Sequence, residues 1–155
     1  MKLEPNKKYI LFAGAFDVKV KNAPLAQAAV KLLDETELLE LKGYNRAEVA
    51  TLIQAVDTLL MTSYSEGSPQ IIKEAMACGC PIVSVDVGDV KELVSGLDGC
   101  YITDANEKSI ADSLAKSIQF CGRTQGRSRL INIGLTNEQI ATRIKKEYEL
   151  IVSNQ

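Results

Sequence analysis

Histidine is absent from the 155 residues. No Ser–His or Cys–His nucleophile pair can therefore be built from this chain alone. Acid–base work is left to carboxylates, lysines, a substrate or a partner domain. Cysteine is scarce: Cys78 and Cys80 form a C-x-C pair, while Cys100 and Cys121 stand alone. Structural zinc needs paired knuckles with wider spacing, so no metal site is expected. Disulfides are not expected in a reducing compartment, and all four thiols read as small buried apolar residues. A basic excess is also missing, since 18 Lys and Arg face 20 Asp and Glu. Without a basic block, a nucleic-acid partner is not expected. No apolar run approaches the roughly 20 residues that span a bilayer. The opening Met1-Lys2-Leu3-Glu4-Pro5-Asn6 precedes no apolar segment of signal-peptide type before Tyr9. A cytoplasmic address is the expectation, with the first eight residues polar and frayed.

What is present fits one soluble domain: 46% hydrophobic and 25% charged residues give an ordinary core. Tyr9-Ile10-Leu11-Phe12-Ala13 is a continuous apolar run ending at Gly14, the pattern of a strand buried on both faces. Further strands are expected at 37–41, 58–62, 81–85 and 100–102. Helices are expected over 23–33, 46–55, 69–78, 90–94, 107–120, 126–133 and 137–152. The first of these places Leu25, Ala29, Leu32 and Leu33 at helical spacing. Strand and helix alternate through residue 102, which predicts an α/β fold. Its sheet is Rossmann-like and parallel, of about five strands, with helices on both faces and a helical C-terminus. Ligands of such sheets sit at the carboxyl ends of the strands. The loops after Ala13, Leu41, Thr62 and Val85 are thus where function is sought.

One of those loops is the most informative stretch: Ser63-Tyr64-Ser65-Glu66-Gly67-Ser68-Pro69, followed by Gln70-Ile71-Ile72-Lys73-Glu74 and Ala75-Met76-Ala77-Cys78-Gly79. Ser68 reads as a helix N-cap and Pro69 as the first helical residue. The first turn then offers free N–H groups to phosphate or hydroxyl oxygens, and Gly67 permits close approach to the backbone. A carboxylate accepts hydrogen bonds from adjacent hydroxyls, so Glu66 and Glu74 together suit two sugars of one extended ligand. The plainer alternative makes Glu74 a solvated helix residue and Glu66 a partner of the helix dipole. Composition does not choose between them.

The stretch resembles the group 1 (family 4) retaining glycosyltransferases, whose pattern is E-G-x-P and then E-A-M-A-x-G-x-P. Here stand Glu66-Gly67-Ser68-Pro69 and Glu74-Ala75-Met76-Ala77-Cys78-Gly79-Cys80-Pro81, with seven residues between the two glutamates as in the family. The likeness continues through Ile82-Val83-Ser84 and Gly88-Asp89-Val90-Lys91-Glu92 to Gly99-Cys100-Tyr101-Ile102. It covers only the C-terminal, donor-binding half of the two-domain GT-B fold.

That resemblance implies that residues 1–155 form a single nucleotide-sugar-binding domain lacking the N-terminal acceptor domain. The implied donor is a nucleoside-diphosphate sugar; no cofactor and no metal are implied. Glu66 with Gly67, Ser68 and Pro69 would meet the transferred sugar and nearby phosphate, and Glu74 the ribose hydroxyls. Lys21 would clamp the diphosphate beside Gly14, with Lys19 as an alternative and an ordinary exposed lysine as the plain reading. The family's arginine after that glycine is Ala15 here. Gly43 and Tyr44 fall where the nucleobase meets backbone groups. Relatives often carry an extra strand–helix unit after the first helix, and this chain has room for only one strand there.

The implied reaction is retaining hexosyl transfer to an acceptor hydroxyl, with Lys21 and the 69–78 helix stabilising the departing diphosphate and Glu66 orienting the sugar. The implied setting is surface glycan biosynthesis, with peripheral membrane association of the full-length protein. The chain enters its first strand directly, so donor binding without efficient transfer is expected of the polypeptide alone. A non-catalytic nucleotide-sugar sensor is the alternative that Ala15 favours. A receiver-type signalling domain fits poorly, because the third strand ends in Thr62-Ser63 rather than in acidic residues. Ile140, Ile144, Tyr148 and Ile151 share one face of the last helix, for which core packing is the ordinary explanation. Any exposed part of that stripe is a candidate surface for self-association.

Overall fold

The computed structural model describes residue 4 and residues 6–153. Five parallel strands form one sheet: β1 (Lys8–Phe12), β2 (Thr36–Leu39), β3 (Thr58–Met61), β4 (Ile82–Val85) and β5 (Cys100–Thr103). Their spatial order is β2-β1-β3-β4-β5. The apolar run reads through directly: Tyr9 to Phe12 is buried throughout, because β1 lies between two neighbours. The edge strands β2 and β5 are only half-buried.

Seven helices complete the alternation: α1 (Ala23–Val30), α2 (Arg46–Ala55), α3 (Gln70–Ala77), α4 (Val90–Val94), α5 (Glu107–Gln119), α6 (Gly126–Asn132) and α7 (Asn137–Ser153). Helix α1 packs on α5, and α3 packs on α6 and α2, the pairings of layers on opposite faces of the sheet. The large fully buried side chains include Phe12, Ile53, Met61, Ile72, Met76, Ile110 and Leu114, contributed by strands and by both helical layers. Only β2 stands between α1 and α2.

Three sequence expectations need correction. Helix α1 stops at Val30 rather than at Leu33, and Leu32 lies 57% exposed in the turn that follows. Chain reversal into β2 takes those residues, and Glu35 adopts a left-handed conformation (φ 50°) to complete it. The four cysteines are not uniformly buried: Cys80 is buried, Cys78 and Cys100 are half-buried, and Cys121 is exposed in the loop after α5. Burial pushes the Cys80 thiol up to about 12 and the Cys100 thiol up to about 11, so neither is a nucleophile at neutral pH. Lastly, α7 buries none of its residues. Ile144 and Tyr148 are 52% and 67% exposed, so the stripe is not core: no layer of this domain lies over it.

Of the N-terminal residues expected to fray, 1–3 and 5 lie outside the described residues, while Lys8 already belongs to β1. No helix among the described residues is long and apolar enough to cross a membrane.

Close packing of α6 on α3 depends on one glycine. A Cβ at Gly126 would stand 2.7 Å from both the Cα and the carbonyl oxygen of Met76. Backbone cannot yield as a flexible side chain can. Gly126→Ala is therefore expected to cost about 2 kcal/mol and lower Tm by several degrees in a thermal melt.

Candidate donor site at the switch point

In this strand order the chain passes from β1 to β2 on one side and then crosses back from β2 to β3 on the other side of β1. The crevice between the ends of β1 and β3 is the topological switch point, where α/β sheets bind ligands. Two loops meet there. After β1 comes Gly14 and then a 3-10 turn, Lys19–Lys21, ended by Asn22 in a left-handed conformation (φ 55°). After β3 come Thr62, Ser63 and the Glu66–Ser68 loop. Thr62 sits at the carboxyl end of β3 and its hydroxyl donates to the carbonyls of Lys21 and Asn22, each at 3.0 Å. The Tyr64 N–H donates to the Val20 carbonyl at 2.9 Å.

These bonds aim two side chains at each other. The Lys21 ammonium donates to Glu66 Oε1 at 2.6 Å, and the two side chains keep only 22% and 15% of their accessible surface. Gly14 makes this reach possible, because a Cβ there would stand 2.8 Å from Lys21 Cγ and 3.0 Å from Cδ. The lysine stem thus lies across the glycine. Burial by itself raises the Glu66 carboxyl, but hydrogen bonding from Lys21 and from Ser63, with the charge of Lys21, outweighs it and holds Glu66 below the usual carboxylate range. Lys19 makes no ion pair among the described residues.

Helix α3 runs from this loop, but its N-terminus differs from expectation. Pro69, not Ser68, is the N-cap (ψ 120°), and no side chain caps the first turn. Ser68 is engaged elsewhere: its hydroxyl contacts Asp89 Oδ2 and accepts from Lys73 Nζ at 2.6 Å. A hydroxyl so occupied does not serve α3. Uncapped N–H groups therefore remain at the helix end. Gly67 is open, with nothing within 4 Å of where a Cβ would lie.

Glu74 follows within α3. Its side chain keeps 29% of its surface, and Oε1 lies 3.9 Å from Arg46 Nη2, the first residue of α2. It borders a cavity of about 840 Å³ whose lining includes Arg46, Gln70, Lys73, Arg127 and Ile140. Glu66 does not line that cavity. The structure thus joins Glu66 to Lys21 and Glu74 to Arg46, and leaves the two glutamates without direct contact.

Gly43 (φ 80°) and the exposed Tyr44 sit just before Asn45, which caps α2 through its side chain in a box with Glu48. This brings the 43–44 loop within three residues of Arg46 and hence to the Glu74 side of the site. The loop after β2 is also tied to that after β1: Leu41 N–H donates to the Gly14 carbonyl at 3.0 Å, and Phe16 N–H to Glu40 Oε1 at 2.7 Å.

Sequence reasoning assigned no role to Arg46, Lys73, Gly88 or Asp89. Gly88-Asp89 was conspicuous only as part of a matching stretch, since its contact with Gly67 depends on β3 and β4 being neighbours. The Asp89 N–H donates to the Gly67 carbonyl at 3.0 Å, and a Cβ on Gly88 would stand 2.2 Å from that carbonyl oxygen.

A Rossmann-like sheet with its polar groups gathered at the switch point defines the class of protein. Residues 27–119 match the family model described as "Glycosyl transferases group 1". The chain belongs to that family. It is similar to D-inositol 3-phosphate glycosyltransferases of Mycobacterium bovis and Mycobacterium tuberculosis. Identity with them is 30% over 103 residues, covering 63% of this chain and 22% of those proteins. The chain thus spans about a fifth of the length of the curated relatives it matches. Among solved structures, sucrose-phosphate synthase from Thermosynechococcus elongatus superposes with a TM-score of 0.78 at 19% identity, over 99% of this chain and 47% of that one. A glycosyltransferase from Rickettsia africae superposes with a TM-score of 0.77 at 13% identity, over 98% of this chain and 50% of that one. Both share the fold, as one Rossmann-like half of a GT-B chain.

Proposed function

We propose that this chain is the donor-binding half of a retaining hexosyltransferase that uses a nucleoside-diphosphate sugar. The observation that carries the reading is the Lys21–Glu66 pair at the switch point, 2.6 Å apart and largely shielded from water. In this reading the diphosphate takes Lys21 and the uncapped end of α3, and Glu66 turns to the hexose hydroxyls. Negative charge growing on the departing diphosphate is then stabilised by groups already in place. Glu74 and Arg46, with the Gly43–Tyr44 loop, receive the ribose and base. The acceptor and the rest of the cleft belong to an N-terminal domain, so the isolated chain binds donor without efficient transfer. Surface glycan assembly is the proposed setting.

Titration with UDP, GDP and ADP tests this reading. One of them is expected to bind, and Glu74→Gln is expected to weaken that binding by about tenfold while leaving inorganic pyrophosphate binding unchanged. An equal loss for both ligands would remove ribose as the partner of Glu74. A second reading, a non-catalytic nucleotide-sugar sensor, is favoured by Ala15 at the position of the family's arginine. Sugar transfer by the longer natural protein would eliminate it.

A further inference from the structure

The Glu66–Gly67–Ser68 loop is not held by its own flanking elements alone. Asp89, at the head of α4, grips it twice, through its N–H to the Gly67 carbonyl and its Oδ2 to the Ser68 hydroxyl. Gly88 lies against the same carbonyl so closely that no side chain fits between them. Lys73 completes the bracket from α3 by donating to Ser68 Oγ at 2.6 Å. Ser68 thereby bridges a carboxylate on the β4–α4 loop and an ammonium on α3. Asp89 Oδ1 is buried with no hydrogen-bond partner among the described residues. Leaving that oxygen without a partner is costly.

We infer that Asp89, acting through Ser68 and the Gly67 carbonyl, is the positioning residue that sets the Glu66–Ser68 backbone for the sugar end of the donor. This rests on the proposed donor-site reading and adds to it a residue that never touches the ligand. A loop fixed in advance loses less freedom on binding, so the bracket acts on affinity for the sugar and its adjacent phosphate. Lys73 also borders the Glu74 cavity, but neither Glu74 nor Arg46 bonds Asp89, Ser68 or Gly67, so the nucleoside end feels the bracket less. Asp89→Asn keeps an acceptor oxygen for Ser68 and preserves the bracket, whereas Asp89→Ala removes it.

The test uses whichever of UDP-glucose, GDP-glucose and ADP-glucose binds the wild-type chain, with the matching nucleoside monophosphate as control. Asp89→Ala is expected to weaken the nucleotide sugar by about tenfold and the monophosphate by less than about twofold, and Asp89→Asn to restore most of the loss. A general loss of folding would weaken both ligands together, and that result, or unchanged binding of the nucleotide sugar, would overturn the inference. Amide exchange of the ligand-free chain supplies an independent readout. Asp89→Ala is expected to speed exchange at Gly67 and Ser68, with β1 and α5 unchanged and Asp89→Asn close to wild type. If no nucleotide sugar binds the wild type, the donor reading fails by itself, and unaltered exchange at Gly67 and Ser68 would sink the positioning role separately.

Discussion

Replacing Lys21 with methionine is expected to weaken nucleoside-diphosphate binding by about a hundredfold and to reverse the pH dependence of stability in the acid range. Two consequences of one contact are involved. Lys21 is the cation at the switch point, and its loss removes the charge-assisted bond that the diphosphate would take over. Its loss also strands Glu66. In the wild type the Glu66 carboxyl is held below its ordinary value by Lys21, with a smaller share from Ser63, against the opposing effect of burial. A depressed folded pKa contributes stability above the unfolded carboxylate value, and that stability disappears as pH falls through the folded value. With methionine the ammonium is gone, and burial, the largest single influence, outweighs the Ser63 hydrogen bond that remains, so the carboxyl rises above its unfolded value. Its contribution is then present at low pH and lost as pH climbs through the raised value. Thermal melts between about pH 3 and pH 7 should show slopes of opposite sign for this residue's share, with the variant about 2 kcal/mol less stable at neutrality. Parallel pH profiles for the two proteins would show that Lys21 and Glu66 are not coupled in solution.

Two motif glycines should behave in opposite ways. Gly88→Ala places a methyl 2.2 Å from the Gly67 carbonyl oxygen and 3.0 Å from that of Glu66, in a backbone conformation (φ 56°) that side chains rarely adopt. Strain and overpacking together are expected to cost about 3 kcal/mol, or about 8 °C in Tm, and to displace the loop that carries Glu66. Gly67→Ala meets nothing within 4 Å and no unusual φ, so its stability should stay within about 0.5 kcal/mol of wild type. The methyl would instead protrude where the ligand approaches, and donor affinity should fall at unchanged Tm. Melting curves and titrations of the two variants separate a glycine needed for the fold from one needed for the ligand. Equal Tm losses would contradict the assignment.

The alternation of apolar runs and amphipathic segments made the sheet legible, because a strand such as Tyr9–Phe12 buried on both faces leaves no polar residue in its run. Helices with strong boundary chemistry, α2 behind Asn45 and α3 ending before Gly79, were legible almost to the residue. The N-cap of α3 was not. Ser68 has the chemistry of a cap, but a competing partner 21 residues away claims its hydroxyl. The stripe of α7 left core packing and an exposed face both open for a similar reason: periodicity records that a face is apolar, not that this domain covers it. Glu66 was identifiable as a candidate from its loop at a strand's carboxyl end, and Lys21 only through the family resemblance. Their contact became visible only once β1 and β3 were neighbours. Arg46 and Asp89 escaped notice because neither has a distinctive local pattern. Their partners, Glu74 and the Ser68–Gly67 turn, are brought to them by the sheet order alone.

The donor-site reading stands or falls on whether one ligand engages the loop before α3 and Glu74 within that helix at once. Backbone amide shifts recorded during titration with a nucleoside-diphosphate sugar measure this directly. Expected are perturbations at Gly14, Lys21 and Glu66–Ser68 together with Glu74 and the Gly43–Tyr44 loop, all following a single binding curve. Shifts confined to another face of the sheet, or curves that separate the Lys21–Glu66 group from the Glu74 group, would contradict it.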